Sequence, residues 1–430
     1  MAVDAALMQR VILENQEEIP SKPLLKRGER FESGVSYVLV GLRRAGKSYT
    51  IFEHIQKLIN EQSAKPEDIL YVNFEDDRLY GFEVSDSERL LDAYYALFGT
   101  SRRPVVCLDE LQNIEGWEKF ARRLVDTGYQ VFITGSNAKM LSSEIHTTLG
   151  ARFIVREIRP FSFREFLRIR GTEPTPVMLM GPRSNDVRRL FDEYLTWGGL
   201  APVFPLVEKR EWLQGLKDNV LLRDIAARSG IRSTRALVLL LSKLAESVRQ
   251  PTGASRLLHL LQSDHMPATR ANVAQWIDAM QAAFLIESMP NWSDALSERA
   301  TMRKHYLADN GILNCLLADP AAKLLENLAA VELMRRFGRD AVYYYRRNVE
   351  VDFFVPQAHL AVQVSMALSS SETQEREVRA LVKLAEVFDL KESLILTMDE
   401  ERTIEAEGVR IMVKPVWRWL LEPDDAAAVQ

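Results

Sequence analysis

Between Gly41 and Ser48 the chain reads Gly-Leu-Arg-Arg-Ala-Gly-Lys-Ser, a G-x-x-x-x-G-K-[ST] spacing that suits an anion. Gly41 and Gly46 let the backbone wrap a phosphate with successive N–H groups turned inward. Lys47 is spaced to neutralise β- and γ-phosphates, and the Ser48 hydroxyl to hold Mg²⁺. The predicted nucleotide-contact segment also takes in Leu42, Arg43, Arg44, Ala45 and Tyr49. About 60 residues later an apolar run ends in Asp109-Glu110. Asp109 there would serve the metal and Glu110 would polarise an attacking water, because phosphoryl transfer asks mainly for positioning and charge neutralisation. The next apolar run ends in Thr134-Gly135-Ser136-Asn137, where Ser136 and Asn137 would orient water or sense the γ-phosphate. ATP with Mg²⁺ is the predicted ligand pair, and hydrolysis the predicted reaction.

Such residues need a sheet to bring them together. Short β-rich runs (Ser36–Val40, Ile69–Phe74, Val105–Asp109, Gln130–Thr134 and Arg152–Val155) alternate with helical patterns over the first 150 residues. That alternation predicts an α/β fold with a parallel sheet covered on both faces, and ligands at its carboxyl edge. From Phe161 the pattern is helical, including Thr269–Met280 with a Thr cap, and Phe284–Met289 reads as a wing strand. A third region follows with a helix (Ala321–Phe337), strands (Val342–Tyr345, Val349–Val355, Leu360–Val364), a helix (Thr373–Phe388), strands (Ser393–Thr397, Arg410–Val413) and a helix (Val416–Leu421). The expected domains are 1–160, 161–300 and 301–430.

A chain of 430 residues with 27% charged and 47% apolar residues is expected to form two or three globular domains. No apolar run reaches the length of a membrane span, and Cys107 and Cys315 form neither a disulfide framework nor a zinc cluster. A cytoplasmic location without a membrane partner is the simplest expectation. The net charge of −5 does not advertise nucleic acid. Its distribution is uneven: Leu206–Leu260 holds ten Lys or Arg against five acids, and Arg152–Arg170 six arginines against two. That hints at a basic face in the middle of the chain.

Gly41–Ser48 with its twin arginines, Asp109-Glu110-Leu111-Gln112, Thr134–Asn137, Leu149-Gly150-Ala151-Arg152 and Pro160-Phe161-Ser162-Phe163-Arg164-Glu165-Phe166 together resemble the prokaryotic AAA-type ATPases. In these a nuclease-like domain of largely unknown role follows the motor. The resemblance implies an AAA-like core, a helical lid with a winged-helix middle, and a restriction-endonuclease-like end. Members usually carry Thr-Gly-Arg or Ser-Gly-Arg where this chain has Leu149-Gly150-Ala151-Arg152. Arg152 is therefore the arginine-finger candidate, in cis or from a neighbouring subunit of a homo-oligomer, and Arg223 a second one. In the last domain Glu326, Asp352 and Gln363 resemble a PD-(D/E)xK metal site. Gln363-Val364-Ser365 stands where active members have Glu-x-Lys, with Lys323 as a conceivable substitute cation. The expectation is a retained fold without nuclease chemistry. A winged helix would offer Arg270, Asn272 and Gln275 to DNA, although only one of these is charged. A scaffold that binds protein partners, and an ATP-controlled nuclease, are the competing readings.

Overall fold

The computed structural model describes residues 3–101, 103–136, 149–150, 152–292, 299 and 301–423. Its fold class is α/β, in two compact units: Met1–Arg159 with Ala282–Phe284, and Pro160–Gln281 with Leu285–Gln430.

The first unit is built on β1 (Ser36–Val40), β2 (Ile69–Asn73), β3 (Val105–Asp109), β4 (Val131–Gly135) and β5 (Phe153–Glu157). They form one sheet in the order β2-β3-β4-β1-β5, and every pairing is parallel. All five residues of β1 are buried, as a strand covered on both faces requires. Helices α1 (Ala5–Glu18), α2 (Lys47–Asn60), α3 (Ser87–Phe98) and α4 (Trp117–Asp126) accompany the strands. On one face Tyr37 stacks on Phe132 at 5.7 Å, and Ile51 and Ile55 of α2 join the same core. The chain passes from β1 to β2 on one side and arrives at β5 on the other. This reversal opens a crevice at the carboxyl ends.

Helix α1 has no counterpart in the sequence reading. Asp4 caps it, and Met8, Val11 and Ile12 form a narrow buried stripe. Its Gln16 donates to the Ile69 carbonyl at 2.8 Å, so it is fastened to β2, an edge strand that otherwise presents open backbone.

The second unit begins with helices. A π-helical turn, Val220–Ala227, carries Arg223 in an exposed position. The helices Thr234–Glu246, Ala254–Ser263 and Arg270–Ala282 lead into β6 (Ile286–Pro290), which pairs antiparallel with β7 (Arg303–Leu307). The strand expected over Phe284–Met289 is observed as β6, and β7 is its unforeseen partner. Thr269 does cap the helix: its Oγ1 accepts the Asn272 N–H at 3.2 Å, and Asn272 Oδ1 accepts the Thr269 N–H at 3.1 Å.

A mixed sheet follows from β8 (Tyr343–Arg346), β9 (Glu350–Val355), β10 (Leu360–Val364), β11 (Glu392–Thr397), β12 (Arg402–Ala406) and β13 (Val409–Pro415). Its order is β12-β13-β11-β10-β9-β8, parallel only at β10–β11 and β11–β13. The helix Ser371–Ala385 packs Leu381 and Leu384 against Val351, Ala361, Ile395 and Ile411.

Candidate functional site

Gly41 leaves β1 with φ +148°, and a Cβ there would stand 2.2 Å from the Ile158 carbonyl oxygen. Only glycine fits this approach of loop to β5. Arg44 and Gly46 both take left-handed conformations, at φ 67° and 103°. The loop therefore curls back on itself and delivers Lys47 to the first position of α2. The Lys47 side chain is 4% exposed, with Nζ donating to the carbonyls of Gly41 at 3.2 Å and Leu42 at 3.3 Å. Its nearest carboxylate, Glu110 Oε1, is 3.8 Å away. Leu42 and Ala45 are buried, Arg43 pairs with Glu75 at 3.0 Å, and Tyr49 lies exposed on α2. Arg27, which sequence reasoning missed, ties the loop down by donating to Ala45 O at 3.1 Å and Arg159 O at 2.9 Å.

Asp109 closes β3 and is almost wholly enclosed. Tyr71 OH donates to it at 2.6 Å, and the hydroxyls of Thr134 and Ser48 donate to it as well. Burial raises its pKa; the three hydroxyls oppose that rise, and Glu110 adds to it. The hydroxyls thus favour the carboxylate form. Glu110 sits in the left-handed region at φ 52°, a costly conformation for glutamate. Its N–H donates to Thr134 Oγ1 at 2.8 Å, and Gln112 Nε2 donates to its carboxylate. Ser136 is buried, with its Oγ 3.4 Å from Gln112 Nε2. Lys47, Ser48, Asp109, Glu110 and Ser136 therefore share the carboxyl edge of the sheet. The sequence reading missed Tyr71 and Thr134; Asn73 of β2 pairing with Asp109 puts Tyr71 within reach. Asn137 lies outside the described residues.

Arg152 stands elsewhere. It immediately precedes Phe153, which pairs with Ser36 at the amino end of β1. Five residues of strand, roughly 16 Å at about 3.3 Å each, separate it from the phosphate loop. Its Nε engages Asp126 of α4, and its Nη1 the carbonyls of Leu149 and Gly150 at 3.3 Å. The sheet does not bring Arg152 to its own loop.

Much of the basic stretch Arg152–Arg170 is engaged within the chain. Arg152, Arg159, Arg168 and Arg170 pair with carboxylates, and Arg164 donates to the Leu421 carbonyl. On the helix Arg270–Ala282, Arg270 and Gln275 are exposed, but Asn272 is committed to the cap.

In the second unit Glu326, Asp352 and Gln363 do meet, lining a cavity of about 870 Å³ with Lys323 on its wall. The cation at the carboxylates is not Lys323, however. Lys304 of β7 places Nζ 2.9 Å from Asp352 Oδ1, 3.2 Å from Glu350 Oε1 and 3.5 Å from Glu326 Oε1. Gln363 is not a free ligand: its Oε1 accepts the Asp352 N–H at 2.8 Å and its Nε2 donates to Glu350 O at 3.1 Å. No local signal marks Lys304, because it lies in the polar run Arg303-Lys304-His305, and only its burial in β7 sets it apart.

Residues 34–167 match the family model AAA_14, described as AAA domain, and residues 188–323 match a domain of unknown function (DUF8612). An uncharacterized protein of Methanocaldococcus jannaschii is 29% identical over 435 residues, 96% of this chain and 95% of that one. Another, from Haemophilus influenzae, is 29% identical over 397 residues, 90% of this chain and 94% of that one. Among solved structures, the Aeropyrum pernix ORC1 protein in complex with DNA aligns with TM-score 0.30 and 18% identity, over 74% of this chain and 94% of that chain. Among the described residues no helix is long and apolar enough to cross a membrane. The matched model and the curled loop on a parallel sheet agree: residues 34–167 are similar to an AAA domain, and they hold all five strands of that sheet.

Proposed function

We propose that the chain is a Mg²⁺-dependent ATPase that works as a nucleotide-driven switch. The observation that carries this reading is the state of Lys47, buried in the loop and held by two backbone carbonyls rather than by a matched carboxylate. A phosphate can replace those weak neutral acceptors. Gly41–Ser48 would bind the phosphates through backbone N–H groups and Lys47, with Tyr49 and Ser136 at the margins. Ser48 and Asp109 suit Mg²⁺: the hydroxyl already touches the carboxylate, and three hydroxyls favour that carboxylate's ionised form. Mg²⁺ bound there supplies positive charge to the phosphate oxygens. Glu110 takes the proton of the attacking water, held in place by Thr134 and Gln112. Asn137 is proposed as the γ-phosphate sensor. The expected test result is Mg²⁺-dependent ATP turnover in the purified chain, with nucleotide binding lost in Lys47→Ala. Binding of ATP by Lys47→Ala as tight as wild type would refute the loop assignment.

Arg152 acts in trans in this reading, because its place at the amino end of β5 excludes its own loop. Arg152→Ala should lower turnover, and mixing it with Lys47→Ala should restore part of the activity, since one mixed interface holds both intact parts. No recovery on mixing removes the finger.

The output of the switch is proposed to be DNA, contacted through the helix Arg270–Ala282 and the β6–β7 hairpin, with the 301–430 region a nuclease-like domain lacking nuclease activity. The order of three helices and a hairpin supports a winged helix in the 161–300 region. One observation favours a protein partner instead. Asn272 is committed to its cap, which leaves Arg270 balanced by Asp278 among the charges of that helix. A shift of labelled DNA with a salt slope of several phosphates selects DNA, and the absence of one selects protein.

A further inference from the structure

Lys304 is 0% exposed, yet it is surrounded by charge of the opposite sign. Its three carboxylate partners come from separate places: Glu326 from the helix Ala321–Phe337, and Glu350 and Asp352 from β9. The Tyr344 ring closes another side, 5.7 Å from Nζ. One small cation ringed by carboxylate oxygens from two elements is an arrangement that a divalent ion would also satisfy.

The cluster does not fit a divalent ion as it stands. Mg²⁺ requires oxygens at about 2.1 Å in a near-ideal octahedron. Asp352 Oδ1 already accepts from Lys304, and Oδ2 accepts the Val364 N–H at 3.0 Å. Glu326 Oε1 accepts from Tyr306 OH at 3.0 Å, and Oε2 from Arg249 Nε at 2.8 Å. Gln363 Oε1 is held by the Asp352 N–H. Every oxygen of the Glu326, Asp352 and Gln363 set is therefore an occupied acceptor. A dication placed among them would also stand beside an ammonium that is fully enclosed.

We infer that the Lys304 ammonium is the resident cation of this cluster, a tethered counter-ion standing where a divalent metal would otherwise bind, so that Glu326 and Asp352 take up neither Mg²⁺ nor Mn²⁺. The cluster needs such a cation. Burial and the neighbouring Asp352 push the Glu326 carboxyl up to about 7 even with Lys304 and Arg249 pulling the other way. Burial loosens the hold of Lys304 on its proton, but Asp352, Glu326 and Glu350 outweigh it and keep the side chain charged. The inference concerns this cluster only and stands apart from the phosphate loop.

The test is a Mn²⁺ titration of the nucleotide-free full chain, followed by electron paramagnetic resonance and by thermal melting. Wild type should show no Mn²⁺ site that depends on Asp352. Lys304→Ala should gain one, with its melting temperature rising as Mn²⁺ is added, and Lys304→Ala/Asp352→Asn should lose both gains. Lys304→Gln, which keeps most of the volume and a polar head, provides a second variant if the alanine form is too unstable to purify. Dependence on Asp352 separates this site from any metal at Ser48 and Asp109. A wild-type Mn²⁺ equivalent that Asp352→Asn abolishes overturns the inference. So does a folded lysine variant that takes up no Mn²⁺, or failure of both variants to fold even when Mn²⁺ is present.

Discussion

Each of the two units buries a lysine beside carboxylates, and the difference lies in how each lysine is satisfied. Lys47 leans on two carbonyls at 3.2 and 3.3 Å and sees one carboxylate at 3.8 Å. Lys304 has three carboxylates between 2.9 and 3.5 Å and complete enclosure. Neutral acceptors are weaker than ionised ones, so Lys47 stays available to an arriving anion. The charges at Lys304 are already matched, and nothing is gained by admitting another ion. The first arrangement is open to a ligand and the second is closed by the chain itself.

Exchanging the two lysines for alanine tests this contrast most strongly. Lys304→Ala leaves buried carboxylates without their cation and should cost about 3–5 kcal/mol of stability, as breaking one side of a buried pair does. Lys47→Ala breaks only a distant pair and two neutral hydrogen bonds, and should cost about 1 kcal/mol while abolishing tight nucleotide binding. Urea unfolding and nucleotide titration of both variants give the four numbers. If Lys47→Ala proves the less stable variant, the contrast between open and closed lysines fails.

A smaller effect is expected at Glu110. Glu110→Gln should retain binding yet slow turnover roughly 10²-fold, about 2.7 kcal/mol of barrier, the scale of a lost general base. Single-turnover hydrolysis measures it. An unchanged rate would mean that another group polarises the water, and the loop would then be a binding site with its chemistry elsewhere.

The open site was legible in the sequence because its parts are local: a glycine-spaced loop, and an apolar run that ends in two acids. Each β-strand of the first sheet was placed to within about two residues for the same reason, since continuous burial leaves an unbroken apolar run. What escaped were contacts made across strands. Tyr71 reaches Asp109 only because β2 and β3 are neighbours, and Thr134 only because β4 lies between β3 and β1. The strand β12 escaped because its residues are largely exposed at a sheet edge, although Glu407-Gly408 marks its turn to β13 with φ values of 49° and 80°. Lys304 escaped most completely. The nearest acids in sequence are Glu298 and Asp309, whereas its three carboxylate partners lie 22 to 48 residues further on.

Arg249 provides the mildest test of the closed cluster, and its sign depends on pH. Its side chain is 41% exposed at the cavity rim, and its Nε meets Glu326 Oε2 at 2.8 Å. The residue sits at φ 85°, so Arg249→Ala keeps the same backbone strain and removes only the guanidinium. Glu326 keeps Lys304 and Tyr306, and the loss should be near 1 kcal/mol at pH 8, as for a partly exposed pair. The Glu326 carboxyl titrates near 7 in the folded chain, against 4.5 as the ordinary value. A carboxyl raised on folding holds its proton more firmly in the native state, so its contribution to stability is fully present below about 4.5 and declines as pH rises through 7. Arg249 opposes that rise, and removing it moves the upper limit further up. The cost of Arg249→Ala should therefore be smallest near pH 5, where Glu326 is protonated in the folded chain and needs no guanidinium, and should grow toward pH 8. Urea unfolding of both chains at pH 5 and pH 8 decides it. A cost that is equal at the two pH values would mean that Arg249 packs on the cavity rim without sensing the charge of Glu326.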